Sequence, residues 1–150
     1  MVKTLLLVLA ACLGLGGAAS AAGASMLTAK GDVIAIMGGE LFLGEAEGHI
    51  SGAGTLAIHS QKNPRLTCSG KFTSSAELGG KGQLRCTDGK TSTFKFERMT
   101  IRRGHGTGSF GKGTMSFSYG LTADEAKPYL KLPKGKQLKH NGTELALVNR

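Results

Sequence analysis

Residues 80–97 read Gly-Lys-Gly-Gln-Leu-Arg-Cys-Thr-Asp-Gly-Lys-Thr-Ser-Thr-Phe-Lys-Phe-Glu, and this stretch decides the fold class. Apolar and polar residues alternate on both sides of Asp88-Gly89, as they do in half-buried strands. An Asp-Gly pair between two such runs is a strong signal for a tight hairpin turn, because glycine tolerates a positive φ. The pattern predicts an antiparallel hairpin with leucine, cysteine and phenylalanine pointing inward and the basic residues Arg85 and Lys95 pointing outward.

The Gly-x-Gly-x-apolar unit that opens this stretch occurs three times in the chain. The units begin at Gly52, Gly80 and Gly106, in a chain with 24 glycines and only 3 prolines. Repeats at such a period are typical of stacked supersecondary units. Glycine within strands indicates bends or a close approach of two strands. We therefore predict an all-β fold, either an antiparallel sheet or a small barrel of stacked Gly-rich hairpins.

The C-terminal part of the chain carries a different set of signals. Thr122 followed by Glu125 is a capping-box pattern, and Pro128 limits the helix to about one turn. Asn141-Gly142 predicts a second tight hairpin, over residues 136–148. We expect at most one short helix and a single β domain over 22–150, with its Gly-rich repeat core at about 40–120.

The first 21 residues have the pattern of an export signal. Lys3 supplies a positive start, residues 5–15 are largely apolar, and Ala19-Ser20-Ala21 is a cleavage pattern that places the mature N-terminus at Ala22. The apolar run is shorter than the roughly 20 residues that a membrane-spanning helix needs. We expect a periplasmic or secreted protein.

An alternative for the same segment is a lipid anchor. Leu9-Ala10-Ala11-Cys12 resembles the lipobox of bacterial lipoproteins, in which the cysteine is lipidated and becomes the first residue. The apolar run before Cys12 is short for that processing and continues beyond the cysteine. Soluble export and lipid anchoring both place the domain outside the cytoplasm.

Cys68 and Cys86 are the two cysteines that remain once the predicted signal is removed. An even number of cysteines in an exported chain indicates disulfide pairing. Each cysteine shares a strand face with a leucine, which favours two inward-pointing thiols. We predict a disulfide between them and no metal site, because no further ligands stand at the spacing of a zinc site.

A resemblance supports the repeat interpretation. Phe42-x-Gly44 followed by Glu47-Gly48-His49-x-x-Gly52-x-Gly54 resembles the MORN repeat, a short β-hairpin unit with regularly placed glycines. The Gly-x-Gly, cysteine and Asp-Gly pattern also resembles small exported proteobacterial proteins of unassigned function. The likeness covers about residues 40–120 and implies stacked antiparallel hairpins. It implies no activity.

Several catalytic and cofactor signatures are absent or incomplete. Gly106 to Gly111 matches G-x-G-x-x-G, but a strand pattern follows where a helix should face phosphate, so we interpret it as a β-turn. The four histidines are scattered, and no G-x-S-x-G elbow is present. Glu45 and Glu47 share a strand face, where carboxylates usually meet solvent rather than cleave glycosides. We expect no nucleotide and no cofactor, and we favour a non-enzymatic protein over an enzyme.

The charge balance points to the kind of partner. Lys and Arg number 19 against 10 Asp and Glu, and the formal net charge is +9. Such a basic surface favours anionic envelope partners: a lipid headgroup, lipopolysaccharide or polysaccharide. Lys71, Lys81 or Lys90 could align with the outward residues of the quoted hairpin. The predicted anion-binding residues are Arg85, Lys95, Arg102, Arg103, Lys134, Lys136 and Lys139.

Three alternatives to anion binding stay open at this stage. The protein could be a hydrolase of an envelope polymer, or an inhibitor of a host or competitor enzyme. The lysines could also serve only for solubility or to block edge-to-edge sheet association.

Overall fold

A computed structural model describes residues 28–75, 77 and 79–150 of the chain. The predicted signal at 1–21, Cys12 and the predicted cleavage before Ala22 lie outside these residues. Eight of the described strands form a closed barrel: β1 Thr28–Met37, β2 Glu40–His49, β3 Ala53–Ser60, β4 Thr67–Ser75, β5 Gly79–Cys86, β6 Thr91–Thr100, β7 Arg103–Phe110 and β8 Gly113–Tyr119.

Each barrel strand pairs antiparallel with its neighbours in sequence, and β8 pairs with β1 to close the barrel. At that seam Val33 lies opposite Tyr119, and Met37 lies opposite Met115. The all-β prediction is confirmed, and of the two predicted architectures the small barrel is the one observed. Closure removes the exposed strand edges that an open sheet would present.

Alternating side chains of every strand point into the barrel, where they form its core. This core is built from Val33, Ala35, Met37, Phe42, Leu56, Ile58, Cys68, Leu84, Cys86, Phe94, Phe96, Phe110, Met115 and Phe117. The inward phenylalanines and Cys86 of the quoted hairpin are therefore where the sequence pattern placed them. The turn at Asp88-Gly89 is also observed, with Gly89 at φ +85°.

The repeated glycines face large side chains on neighbouring strands. Gly82 lies in register between Phe72 and Phe94, and a Cβ on Gly82 would come within 2.4 Å of Phe94 Cζ. Gly106 lies between Phe96 and Phe117, with a corresponding distance of 2.6 Å to Phe117 Cζ. Small and large residues thus alternate around the interior, which is how a narrow barrel fills its tapered core.

One local prediction was wrong. The segment from Gly106 to Phe110 belongs to strand β7, and only Gly111 and Lys112 form the turn that follows. The glycine spacing was attributed to a turn, whereas two of these glycines stand where the neighbouring strands leave no room for a side chain. A Cβ on Gly106 would meet the Phe117 ring, and a Cβ on Gly108 would meet the Thr93 carbonyl and the Phe94 backbone.

The predicted disulfide is confirmed. Cys68 in β4 lies directly opposite Cys86 in β5, and their Cα atoms are 3.9 Å apart. Both cysteines are buried in the barrel core. The bond links two adjacent strands near the end of the barrel that holds the Thr87–Lys90 turn.

The C-terminal segment packs on the outside of the barrel. It consists of the capped helix α1 Ala123–Ala126, a 3-10 turn Lys127–Tyr129, and the hairpin of β9 Lys136–Asn141 with β10 Glu144–Asn149. Outward residues of β1 and β2 meet it in a second apolar cluster: Ile34, Ile36, Leu41, Leu121, Ala126, Leu130, Leu138 and Leu145. The capping box and the Asn-Gly hairpin are both as predicted.

The two ends of the barrel differ. At one end the connections are 38–39, 61–66, 87–90 and 111–112, and the interior there is filled by buried side chains such as Phe42 and Met115. The other end holds the start of β1, the loops after His49 and Thr100, and the end of β8 at Tyr119. We call this second end the barrel mouth, since a cavity opens there.

Candidate functional site

The side of the barrel away from the C-terminal segment carries several exposed basic side chains. On β4, β5 and β6 the exposed basic residues are Lys71, Lys81, Arg85 and Lys95. These four residues all point outward, because their strand neighbours Phe72, Leu84 and Phe94 belong to the barrel interior. We call the outward surface of β4–β7 the basic face.

The register of the strands brings these cations into adjacent positions. Lys81 lies directly opposite Lys95, while Arg85 lies opposite Ser69 and Lys71 opposite Gln83. Residues directly opposite in an antiparallel pair have Cβ atoms about 5 Å apart, and like charges there destabilise the sheet. The fold therefore bears a local electrostatic cost on this surface.

Within the described part of the chain, the cations of the basic face have no neutralising partner. Among the described residues, no carboxylate lies within 4 Å of the four cations, and Glu97 on β6 is 3.9 Å from His105 Nε2. Lys30, on the other side of the barrel, illustrates the contrast. Its Nζ lies 3.2 Å from Glu45 and 3.5 Å from Glu47, and these contacts raise its pKa.

The basic face is shallow, broad and otherwise polar. It forms an open concavity of about 1050 Å³. Hydroxyl and amide side chains stand between the cations: Ser69, Thr73, Gln83, Thr91, Thr93, Thr107 and Ser109. The cations of the basic face can bind a negatively charged ligand. Over the same extended area, the hydroxyl and amide groups can donate hydrogen bonds to the ligand and accept them from it.

The predicted anion-binding residues fall into three separate groups. Arg85 and Lys95 lie on the basic face. Arg102 and Arg103 lie at the β6–β7 turn beside the mouth, and Arg103 is paired with Glu125 of α1. The remaining three predicted lysines lie around the C-terminal hairpin, on the opposite side of the barrel: Lys134, Lys136 and Lys139.

Two of the basic residues already have local partners. Lys136 Nζ donates to Asn149 Oδ1 at 2.7 Å, which holds it along its own hairpin. Lys90 does not join the basic face, since it lies at the turn 3.8 Å from Asp88 and 5.4 Å from the centroid of the Phe110 ring.

A second site, at the barrel mouth, was not predicted from the sequence. Its cavity holds about 180 Å³ and narrows onto the rings of Phe72, Phe96 and Tyr119. Phe96 makes edge-to-face contacts with the other two rings, at centroid distances of 5.5 Å and 5.9 Å. Burial raises the pKa of the Tyr119 hydroxyl, although the nearby Arg98 guanidinium opposes that shift.

The rim of the mouth combines cations with exposed apolar side chains. Arg98 and Arg102 line the cavity, and in the described part of the chain neither has a carboxylate within 4 Å. Ile50 and Ile101 line it as well, and they are 75% and 63% exposed. A register shift between β6 and β7 falls beside Arg98, and such irregularities often redirect side chains at the rims of barrels.

The sequence did contain a signal for this site. Arg98 continues the inward series of Phe94 and Phe96 at a period of two, so a strand that extends beyond Glu97 puts a guanidinium inside the barrel. That series stopped at Glu97 in the sequence-based prediction.

Carboxylates and metal-ligating side chains could support other chemistry. Glu45 and Glu47 share a strand face as predicted, and both contact Lys30. Within the described ranges no three His, Cys, Asp or Glu residues are grouped so that they could hold a metal ion. None of the helices in those ranges has the length and apolar character to cross a membrane.

Comparison with known proteins gave no relative. A scan against models of protein families found no match, and searches of curated proteins and of solved structures found none. The function therefore has to be argued from the geometry of the two sites.

Proposed function

We propose that this protein is a non-enzymatic envelope protein that binds an anionic polysaccharide, such as the sugar chain of lipopolysaccharide, on the basic face. The observation that carries the proposal is the opposed pair Lys81 and Lys95, exposed and unneutralised among the described residues. A folded protein gains nothing from placing two like charges side by side. An anionic ligand bound at the two lysines would neutralise their repulsion, and the removal of that repulsion would strengthen binding.

The spacing of the cations favours a polymer over a small anion. Lys81 and Lys95 are neighbours across the sheet, about 5 Å apart at the backbone. Arg85 is four residues further along β5 than Lys81, or about 13 Å at the usual strand rise. Only a ligand with repeated charges reaches all of them together. The hydroxyls between the cations suit the hydroxyl groups of a sugar chain.

The export of the protein rests on two independent arguments. The disulfide between Cys68 and Cys86 is typical of proteins outside the cytoplasm. The signal pattern over residues 1–21 predicts the same location from different residues.

The test removes the opposed charges and compares the loss with a matched change elsewhere. The double variant Lys81→Gln with Lys95→Gln should bind immobilised lipopolysaccharide or polygalacturonate about tenfold more weakly than wild type, because two exposed ion pairs are lost. Its free energy of unfolding should rise by about 0.5 kcal/mol, because the repulsion between the two lysines is removed. Surface plasmon resonance and urea unfolding measure the two effects.

The control carries the same loss of charge on the C-terminal hairpin side. Lys134→Gln with Lys139→Gln should bind within about twofold of wild type, since those residues lie across the barrel from the basic face. Equal losses in the two double variants would show that only net charge matters, and the proposed site would be wrong.

A further inference from the structure

The barrel mouth has the features of a ligand site that is separate from the basic face. Among the described residues, the large hydrophobic side chains with high exposure are Ile50, Met99 and Ile101. The two isoleucines lie on the loops after β2 and β6, and Met99 lies near the end of β6 at the same end of the barrel. Apolar side chains gathered at one exposed place usually mark a binding surface. The mouth of a β-barrel is also a common location for small-molecule sites.

The interior of the mouth determines the apolar part of the ligand. Three aromatic rings form its floor, and the isoleucines at positions 50 and 101 extend the apolar wall outward. The cavity of about 180 Å³ is similar to the engineered cavity of about 150 Å³ in another protein that binds benzene. It therefore has room for a group of about six carbons, and not for a whole diacyl lipid.

The rim determines the polar part of the ligand. Arg98 belongs to the inward series of β6, and its guanidinium is close enough to Tyr119 to affect the pKa of that hydroxyl. Arg102 follows on the turn. Guanidinium groups hold carboxylates by paired, charge-assisted hydrogen bonds, and neither arginine has a carboxylate of the described chain within 4 Å.

We infer that the barrel mouth binds a single-chain anionic amphiphile, with its carboxylate on Arg98 and Arg102 and its acyl tail against Phe72, Phe96 and Tyr119. This inference is independent of the polysaccharide proposal, because the two sites share no cation. A medium-chain fatty acid has the required chemistry, with one negative charge at the end of a tail of suitable width.

Octanoate is the probe, and two ligands with the same tail test the role of charge. Calorimetric titration of the full mature protein should show octanoate binding at least about tenfold more tightly than octanol, and trimethyloctylammonium should bind least. Ring signals of Phe72, Phe96 and Tyr119 should shift in NMR spectra as octanoate is added. Binding of octanol equal to that of octanoate would contradict the assignment of the carboxylate to the arginines.

Two variants separate the head site from the tail site. Arg98→Gln should weaken octanoate binding about tenfold and leave octanol unchanged. Gly48→Val should abolish the binding of both, because Gly48 lines the cavity and a Cβ there meets Phe72 at an unstrained 3.7 Å. Lys112→Gln, on the exposed turn at the opposite end of the barrel, is the control of matched charge and should bind octanoate normally.

Thermal unfolding of each variant confirms that the barrel is intact. Three results would overturn the inference: no titratable octanoate binding, normal binding in Gly48→Val, or a loss in Lys112→Gln equal to that in Arg98→Gln. Sedimentation with phosphatidylglycerol vesicles gives a fourth arm. If the wild-type protein sediments with these vesicles but shows no titratable octanoate binding, the mouth is not a site for a single-chain ligand and the inference is contradicted.

Discussion

At Gly82 a single hydrogen atom occupies the place that a side chain would take between two aromatic rings. The nearest atoms to a Cβ at this position would be Phe94 Cζ at 2.4 Å and the Lys71 carbonyl oxygen at 2.6 Å. Backbone and ring would both have to move. A side chain at Gly82 would therefore not fit between the neighbouring strands at the present barrel diameter.

Gly82→Ala should lower the free energy of unfolding by about 2 kcal/mol, the usual cost of overpacking a core. Gly48→Ala is the matched control, because this glycine also points inward on a strand but has ordinary contact distances. It should be neutral or slightly stabilising, since alanine restricts the unfolded chain. Urea unfolding measures both, and equal stabilities would mean that the interior is looser than the structure shows.

At the scale of elements, residues 33–37 of strand β1 are buried on both faces of the strand. Val33, Ala35 and Met37 point into the barrel, while Ile34 and Ile36 pack under the C-terminal segment. Helix α1 buries Ala126 in the apolar cluster against the barrel, and Glu125 adds an exposed contact. The Glu125 carboxylate accepts from the Thr122 backbone at 2.9 Å and from the Arg103 guanidinium, and these bonds lower its pKa.

Because the pKa of Glu125 is lower in the folded state, its contribution to stability is present above the ordinary glutamate value of 4.5 and is lost as the pH falls through the folded value. Glu125→Gln should therefore be less stable than wild type at pH 7, and the difference should shrink below about pH 4. Urea unfolding across this range measures it. A gap for Glu125→Gln that stays constant across this range would contradict the pairing.

The sequence predicts the elements that alternate and misses those that do not. Residues 93–97 have one apolar and one polar face, so their strand and its inward phenylalanines were predicted correctly. Residues 33–37 carry no alternation, because both sides are covered, and no strand was predicted there. The disulfide and the Asp-Gly and Asn-Gly turns are local signals and were confirmed.

The sequence could not predict the parts of the candidate sites that depend on closure of the barrel. Whether Lys81 faces Lys95 depends on register across two strands, and register is set by the packed interior rather than by either strand alone. The separation of Lys134, Lys136 and Lys139 from Arg85 depends on where the C-terminal hairpin packs. Only coordinates show that these predicted residues belong to different surfaces.

At the scale of the whole molecule, the barrel divides its outer surface into two sides with different roles. The β8–β1–β2 side is covered by the C-terminal segment through apolar contacts. The β4–β7 side is uncovered, basic and rich in hydroxyls. The net charge of +9 would attract anions to the whole surface, so the proposal depends on where the ligand binds rather than on whether it binds.

NMR mapping of the bound surface tests the central claim most directly. Isotope-labelled protein would be titrated with a polygalacturonate oligosaccharide at low and at physiological salt. We predict that amide and side-chain shifts concentrate on Lys71, Lys81, Arg85, Lys95 and the hydroxyl residues between them, and that they weaken as salt rises. Shifts spread over every basic residue, or centred on Lys134 to Lys139, would contradict the account.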